Sequence, residues 1–165
     1  MRFLLFVFLL PTISFAQLSI RDRVAQAADE YKENLEKYTL YGDIFRAPIT
    51  KDAKLACARV AQIILKQADI PQFQKPVYLV RDIQFFTKNW QTVAKDSIEP
   101  GDVVFWKRRF SDDECKGGGD CHVGIAVNHW QTLDNKGIAK RPFVSPIKWR
   151  LGWKFLYAKR PPDHL

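Results

Sequence analysis

From Ser19 onward, apolar side chains at Val24, Ala27, Ala28, Tyr31, Leu35 and Tyr38 recur at helical spacing, with Ser19 placed as an N-cap. The spacing predicts an amphipathic helix packed on one face. Tyr41-Gly42-Asp43 and Pro48 interrupt it, and a second helix is predicted to begin between Thr50 and Leu55 and to end near Asp69, before Ile70-Pro71. A third follows Pro76, with Val80, Ile83, Phe86 and Trp90 on one face, and gives way near Thr92.

The pattern then changes. Glu99-Pro100-Gly101-Asp102 is turn chemistry, and Val103-Val104-Phe105-Trp106 is a short β-rich run. His122 to Val127 reads as a second strand, Asn128-His129-Trp130 as a turn, and Thr132-Leu133-Asp134 as the returning strand of a hairpin. Trp153 to Ala158 supplies a last strand. Helices followed by strands predict an α+β domain in which N-terminal helices pack on a C-terminal antiparallel β-sheet.

Residues 1–16 do not belong to this scheme. Arg2, the apolar run Phe3 to Leu10 and the ending Ser14-Phe15-Ala16 read as a secretory signal peptide cleaved before Gln17. The run is shorter than the roughly 20 apolar residues a membrane span needs, and no later segment approaches that length. Residues 17–165 are then one domain of ordinary size, exported to the periplasm or beyond. The formal net charge of the full chain is +8, which suits polyanionic surroundings such as bacterial cell wall or nucleic acid.

Three cysteines in an exported chain suggest one pair and one remaining thiol. Cys115 and Cys121 flank Lys116-Gly117-Gly118-Gly119-Asp120, a loop flexible enough to close a disulfide, which leaves Cys57. Cys57, Val60, Ala61, Ile64 and Ala68 share one helix face. Cys57 is therefore either a small core residue or a nucleophile whose thiolate the start of the helix favours. A thiolate nucleophile needs a base and a group that orients the base. Of three histidines, His164 lies in a polar tail and His129 in the turn, whereas His122 opens an apolar strand. With the turn centred on Asn128 or His129, position 122 is expected to face 134 or 135, so Asp134 and Asn135 are alternative third members. No second histidine stands at ligand spacing with His122, so neither metal nor cofactor is expected.

The order Leu55-Ala56-Cys57-Ala58-Arg59-Val60, then Pro100-Gly101-Asp102-Val103-Val104-Phe105, then His122-Val123-Gly124-Ile125 resembles the NlpC-type murein peptidases and the related CHAP amidases, a superfamily of papain-like cysteine hydrolases. The likeness runs from about Tyr41 to Asn135. It departs at the nucleophile, where the family usually writes Asp-Cys-Ser-Gly. The resemblance implies a papain-like fold, metal-free cleavage of amide bonds in cell-wall peptides, and a third polar residue one hairpin after the histidine, where Asp134 falls. It also implies an upstream tyrosine touching the thiol, for which Tyr41 is the candidate beside the alternative of a core tyrosine. Arg59 is a candidate for binding a substrate carboxylate, and Trp90, Trp106 and Trp130 for lining a groove, each against the commoner role of surface or core residue. Peptidoglycan is the expected partner and nucleic acid is not, with any inhibitor or immunity protein left open. The alternative function is a non-catalytic basic module that binds cell wall or nucleic acid.

Overall fold

In a computed structural model, residues 18–33, 56–110, 120–136, 141–148 and 152–164 are described. The segment 1–16, Tyr41 and Cys115 lie outside them. Ser19 caps the first helix, α1 (Ile20–Glu33), its hydroxyl accepting from the Asp22 amide at 3.1 Å and donating to the Asp22 carboxylate at 2.7 Å. The apolar stripe Ile20, Val24, Ala27, Ala28 and Tyr31 is buried. Helix α2 spans Cys57–Gln67, so Cys57 is its first residue. Helix α3 is only Val80–Phe86. It is shorter than its periodicity suggests because the Thr87 hydroxyl bonds back to the Ile83 carbonyl at 2.9 Å and the chain turns. Trp90 still reaches the core, packed edge-on against Phe73.

Six strands form one antiparallel sheet: β1 (Gln91–Val93), β2 (Val103–Arg108), β3 (Cys121–Ala126), β4 (Gln131–Lys136), β5 (Arg141–Pro146) and β6 (Trp153–Arg160). Their spatial order is β1-β6-β2-β3-β4-β5. The described residues thus form an α+β arrangement of three helices and a six-stranded antiparallel sheet. Two strands were not anticipated. β1 is three residues long, and β5 carries Pro142 and Pro146, which are tolerated because it is an edge.

Alternation along β2 and β3 creates two apolar layers. Val103, Phe105, Val123 and Ile125 pack with α1 and α2. Val104, Trp106 and Ala126 pack on the opposite face with Ile98, Ile147 and Ala158. The turn before β2 lies against α1: Gly101 has φ +90°, and a Cβ there would stand 2.5 Å from the Arg21 carbonyl. Only glycine fits that position without moving the helix. Asp102, fully buried, accepts two hydrogen bonds of 3.0 Å from Arg160 of β6 and one of 2.8 Å from the Glu99 amide. Arg21 of α1 pairs with Glu99, completing a charged tie between helix, turn and last strand.

Candidate active site

Cys57 owes its place to helix α2, whose residues Val60, Ala61 and Ile64 anchor the same face in the helix-side core. The thiol meets β3 at its edge. Ladder pairs between β3 and β4 are Ile125–Leu133 and Ala126–Thr132. The Ala126 amide donates to the Asp102 carbonyl, toward β2, and amides alternate sides along a strand, so the Val123 amide points toward β4. There it donates to the Cys57 sulfur.

His122 precedes that amide and lies on the other face, between the rings of Trp106 and Trp153, whose centres are 5.8 and 5.2 Å from its own. Its Nε2 stands 3.3 Å from Oδ1 of Asp134. With that nitrogen occupied, Nδ1 is left for Cys57, with which His122 also hydrogen-bonds. Asp134 is fully buried, and two further hydroxyls hold its carboxylate: Thr132 donates to Oδ2 at 3.2 Å and Ser145 to Oδ1 at 3.4 Å.

The hairpin register differs from the expected one. The Val127 amide donates to the Gln131 carbonyl, so the turn centres on His129, one of the two expected centres, but that centre sets Gly124, not His122, opposite Asp134 and carries position 122 beyond both 134 and 135. His122 reaches the carboxylate diagonally, across a position that has no side chain. A Cβ on Gly124 would stand 2.9 Å from the Asp134 Cβ and 3.2 Å from the Thr132 Cβ. Parity decides between the two candidates for the third member, because Asp134 shares the face of His122 while Asn135 turns to the other side and is buried there.

The electrostatics form a coupled pair. For Cys57, burial pushes the thiol up, but the charge and hydrogen bond of His122 and the Val123 amide outweigh it, so its pKa is lowered from 9.0. For His122, burial opposes the charged form, yet the Cys57 thiolate and then Asp134 push the imidazole from 6.5 up to about 9. Both shifts favour the same state, a thiolate beside an imidazolium, each charge supporting the other. Such a pair can attack an acyl carbon and protonate a leaving nitrogen. Cys57 is a free thiol and Cys121 is disulfide-bonded.

Other anticipated residues stand elsewhere. Arg59 is two positions beyond Cys57, about 200° around the helix, where it donates to Gln62 and covers the Tyr78 ring at 5.7 Å. Trp130 is 62% exposed but sits at the turn, six or more residues along the hairpin from His122, roughly 20 Å away. Trp106 is buried against His122 and Trp90 is buried in the core, so neither forms an open wall. His129 is exposed in the turn, where its Nδ1 contacts the Ile98 carbonyl at 2.6 Å. Trp153, Thr132 and Ser145 were not singled out in the sequence. Their roles depend on neighbours brought together only by strand pairing. Among the described residues, no group of three or more His, Cys, Asp or Glu side chains is placed to hold a metal ion.

In comparisons with known proteins, no family model matches the chain, and no curated protein matches its sequence.

Proposed function

We propose that this chain is an exported cysteine hydrolase of papain-like fold, an endopeptidase or amidase that cleaves amide bonds in peptidoglycan stem peptides. The observation that carries the reading is the buried Cys57–His122 pair at the start of α2, with His122 oriented by Asp134. A binding module has no use for a charged nucleophile–acid pair held away from water, and maintaining one there costs solvation. In the reaction, the Cys57 thiolate attacks the amide carbonyl, and the oxyanion is stabilised by backbone amides near Cys57. His122 gives its proton to the leaving amine, forming a thioester and a free amine. The now neutral His122 then takes a proton from water as that water attacks the thioester, releasing a carboxylic acid and restoring the thiolate–imidazolium pair. Asp134 fixes the imidazole and stabilises its charge. The positive net charge favours an anionic polymer, and the order of Cys57, the Pro100-Gly101-Asp102 turn and His122 supports the murein peptidase likeness.

Digestion of purified peptidoglycan by the protein and by its Cys57→Ala variant, with mass analysis of the soluble products, tests this. New termini released by the wild type alone are the expected result. If neither protein releases products while both cosediment with the wall, the hydrolase reading fails in favour of the binding module.

A further inference from the structure

A cleft of about 600 Å³ opens beside the candidate site, lined by Arg108, Arg109, Phe110, Asp120, Gly152 and Trp153. Strand pairing fixes where it lies. Arg108 is opposite Trp153 of β6, and its amide donates to the Asp120 carbonyl at 2.8 Å. Arg108 follows Trp106 by two residues and Asp120 precedes His122 by two, while Trp106 and His122 pair with each other. The cleft therefore continues the sheet face of His122 one pleat repeat, roughly 6.6 Å, further along. Trp153 walls it on one side and contacts the His122 ring on the other.

Its chemistry is cationic and aromatic. Asp120 is 3.6 Å from the Arg108 guanidinium, and Arg109 has no carboxylate partner among the described residues. Phe110 is 94% exposed at the rim. Guanidinium groups beside aromatic surface recognise carboxylates in preference to neutral amides. The direction of the substrate follows as well. Cys57 meets β3 on its β4 side, whereas the cleft lies toward β2 and β6, so His122 stands between nucleophile and cleft. A peptide with its carbonyl at Cys57 and its leaving nitrogen at His122 runs into the cleft with its leaving portion.

We propose that this cleft is the subsite for a carboxylate-bearing residue on the leaving side of the scissile amide, with Arg109 as its main ligand and Arg108 assisting. The proposal rests on the hydrolase reading and narrows its substrates to peptides with a free acid about two residues beyond the cut, since an extended chain advances roughly 3.3 Å per residue.

The probes are soluble stem peptides from purified peptidoglycan and the same peptides with their carboxylates converted to carboxamides. Binding to the Cys57→Ala protein is followed by calorimetry, and cleavage by the wild type is followed separately. The acid form is expected to bind about tenfold more tightly than the amide form, the order of one charge-assisted hydrogen-bonded pair. Adding Arg109→Gln, a change at an exposed side chain, removes that preference, and Arg109→Lys restores part of it. In turnover the same preference resides in KM, with kcat little changed. Equal binding of acid and amide, or a preference that survives Arg109→Gln, overturns the subsite. Preferential binding without cleavage by the wild type overturns the hydrolase reading and leaves the cleft standing as a carboxylate site.

Discussion

A thiolate and an imidazolium buried together stabilise each other, but in the proposed hydrolysis His122 needs a second partner to keep a fixed tautomer once its proton has gone to the leaving group. Asp134 is that partner, and its own lone pairs are held by Thr132 and Ser145. Asp134→Asn is expected to lower kcat/KM by on the order of a hundredfold or more, because an amide can turn its donor toward the ring and hold the wrong tautomer. The pH profile carries a second signature. His122 must be protonated to serve the leaving amine, so activity should fall as pH rises through about 9, and loss of the Asp134 charge should move that alkaline limb to lower pH. Folding follows the same sign: the contribution of the raised His122 pKa is complete below its ordinary 6.5 and disappears as pH climbs through about 9. For the lowered Cys57, it is present above 9.0 and is lost as pH falls through the folded value. Unfolding measured against pH, with Cys57→Ala as control, separates this pair from other titrating groups. The sequence exposed Cys57 and His122 because one opens an apolar helix face and the other an apolar strand. It left Asp134 and Asn135 undecided because a shift of one position in the hairpin exchanges their faces.

Strand β3 meets β4 along a short ladder, and Gly124 is what permits the approach beside the site. Gly124→Ala drives a methyl into the Asp134 and Thr132 Cβ atoms and toward the Leu133 carbonyl, none of which is the far end of a flexible chain. A destabilisation of about 1–3 kcal/mol is expected, read from the denaturation midpoint. Activity should be lost beyond what unfolding explains, because the methyl occupies the space His122 crosses. An unchanged kcat/KM would mean that the diagonal contact tolerates displacement. The periodic elements were legible: Ser19 and the stripe through Val24 and Tyr31 mark α1, and Val103–Phe105 and Val123–Ile125 mark the two central strands. β1 gave too few residues for alternation to register, and the prolines of β5 argued against a strand until its edge position was known. Trp90 kept its expected burial although the helix had ended before it, since burial and periodicity were satisfied by a turn instead.

Helical and sheet layers are joined at one end by Arg21, Glu99, Asp102 and Arg160, well apart from Cys57 in the sequence. Arg160→Ala leaves the Asp102 carboxylate buried without its cation, and a loss of roughly 3 kcal/mol is expected in chemical denaturation, with kcat per folded molecule nearly unchanged. A loss below about 0.5 kcal/mol would mark the pair as solvated in practice. Nothing in the composition announced this tie, because Asp102 read as ordinary turn chemistry and Arg160 as one of many scattered basic residues. The sheet order carries one more consequence. Among the described residues β6 follows the other five strands in the chain, yet it inserts between β1 and β2, and it brings Trp153 to the side of His122. The sheet around His122 therefore stays open until β6 has docked between strands that precede it, and on the proposed reading the Cys57–His122 pair gains its aromatic wall only at that closure.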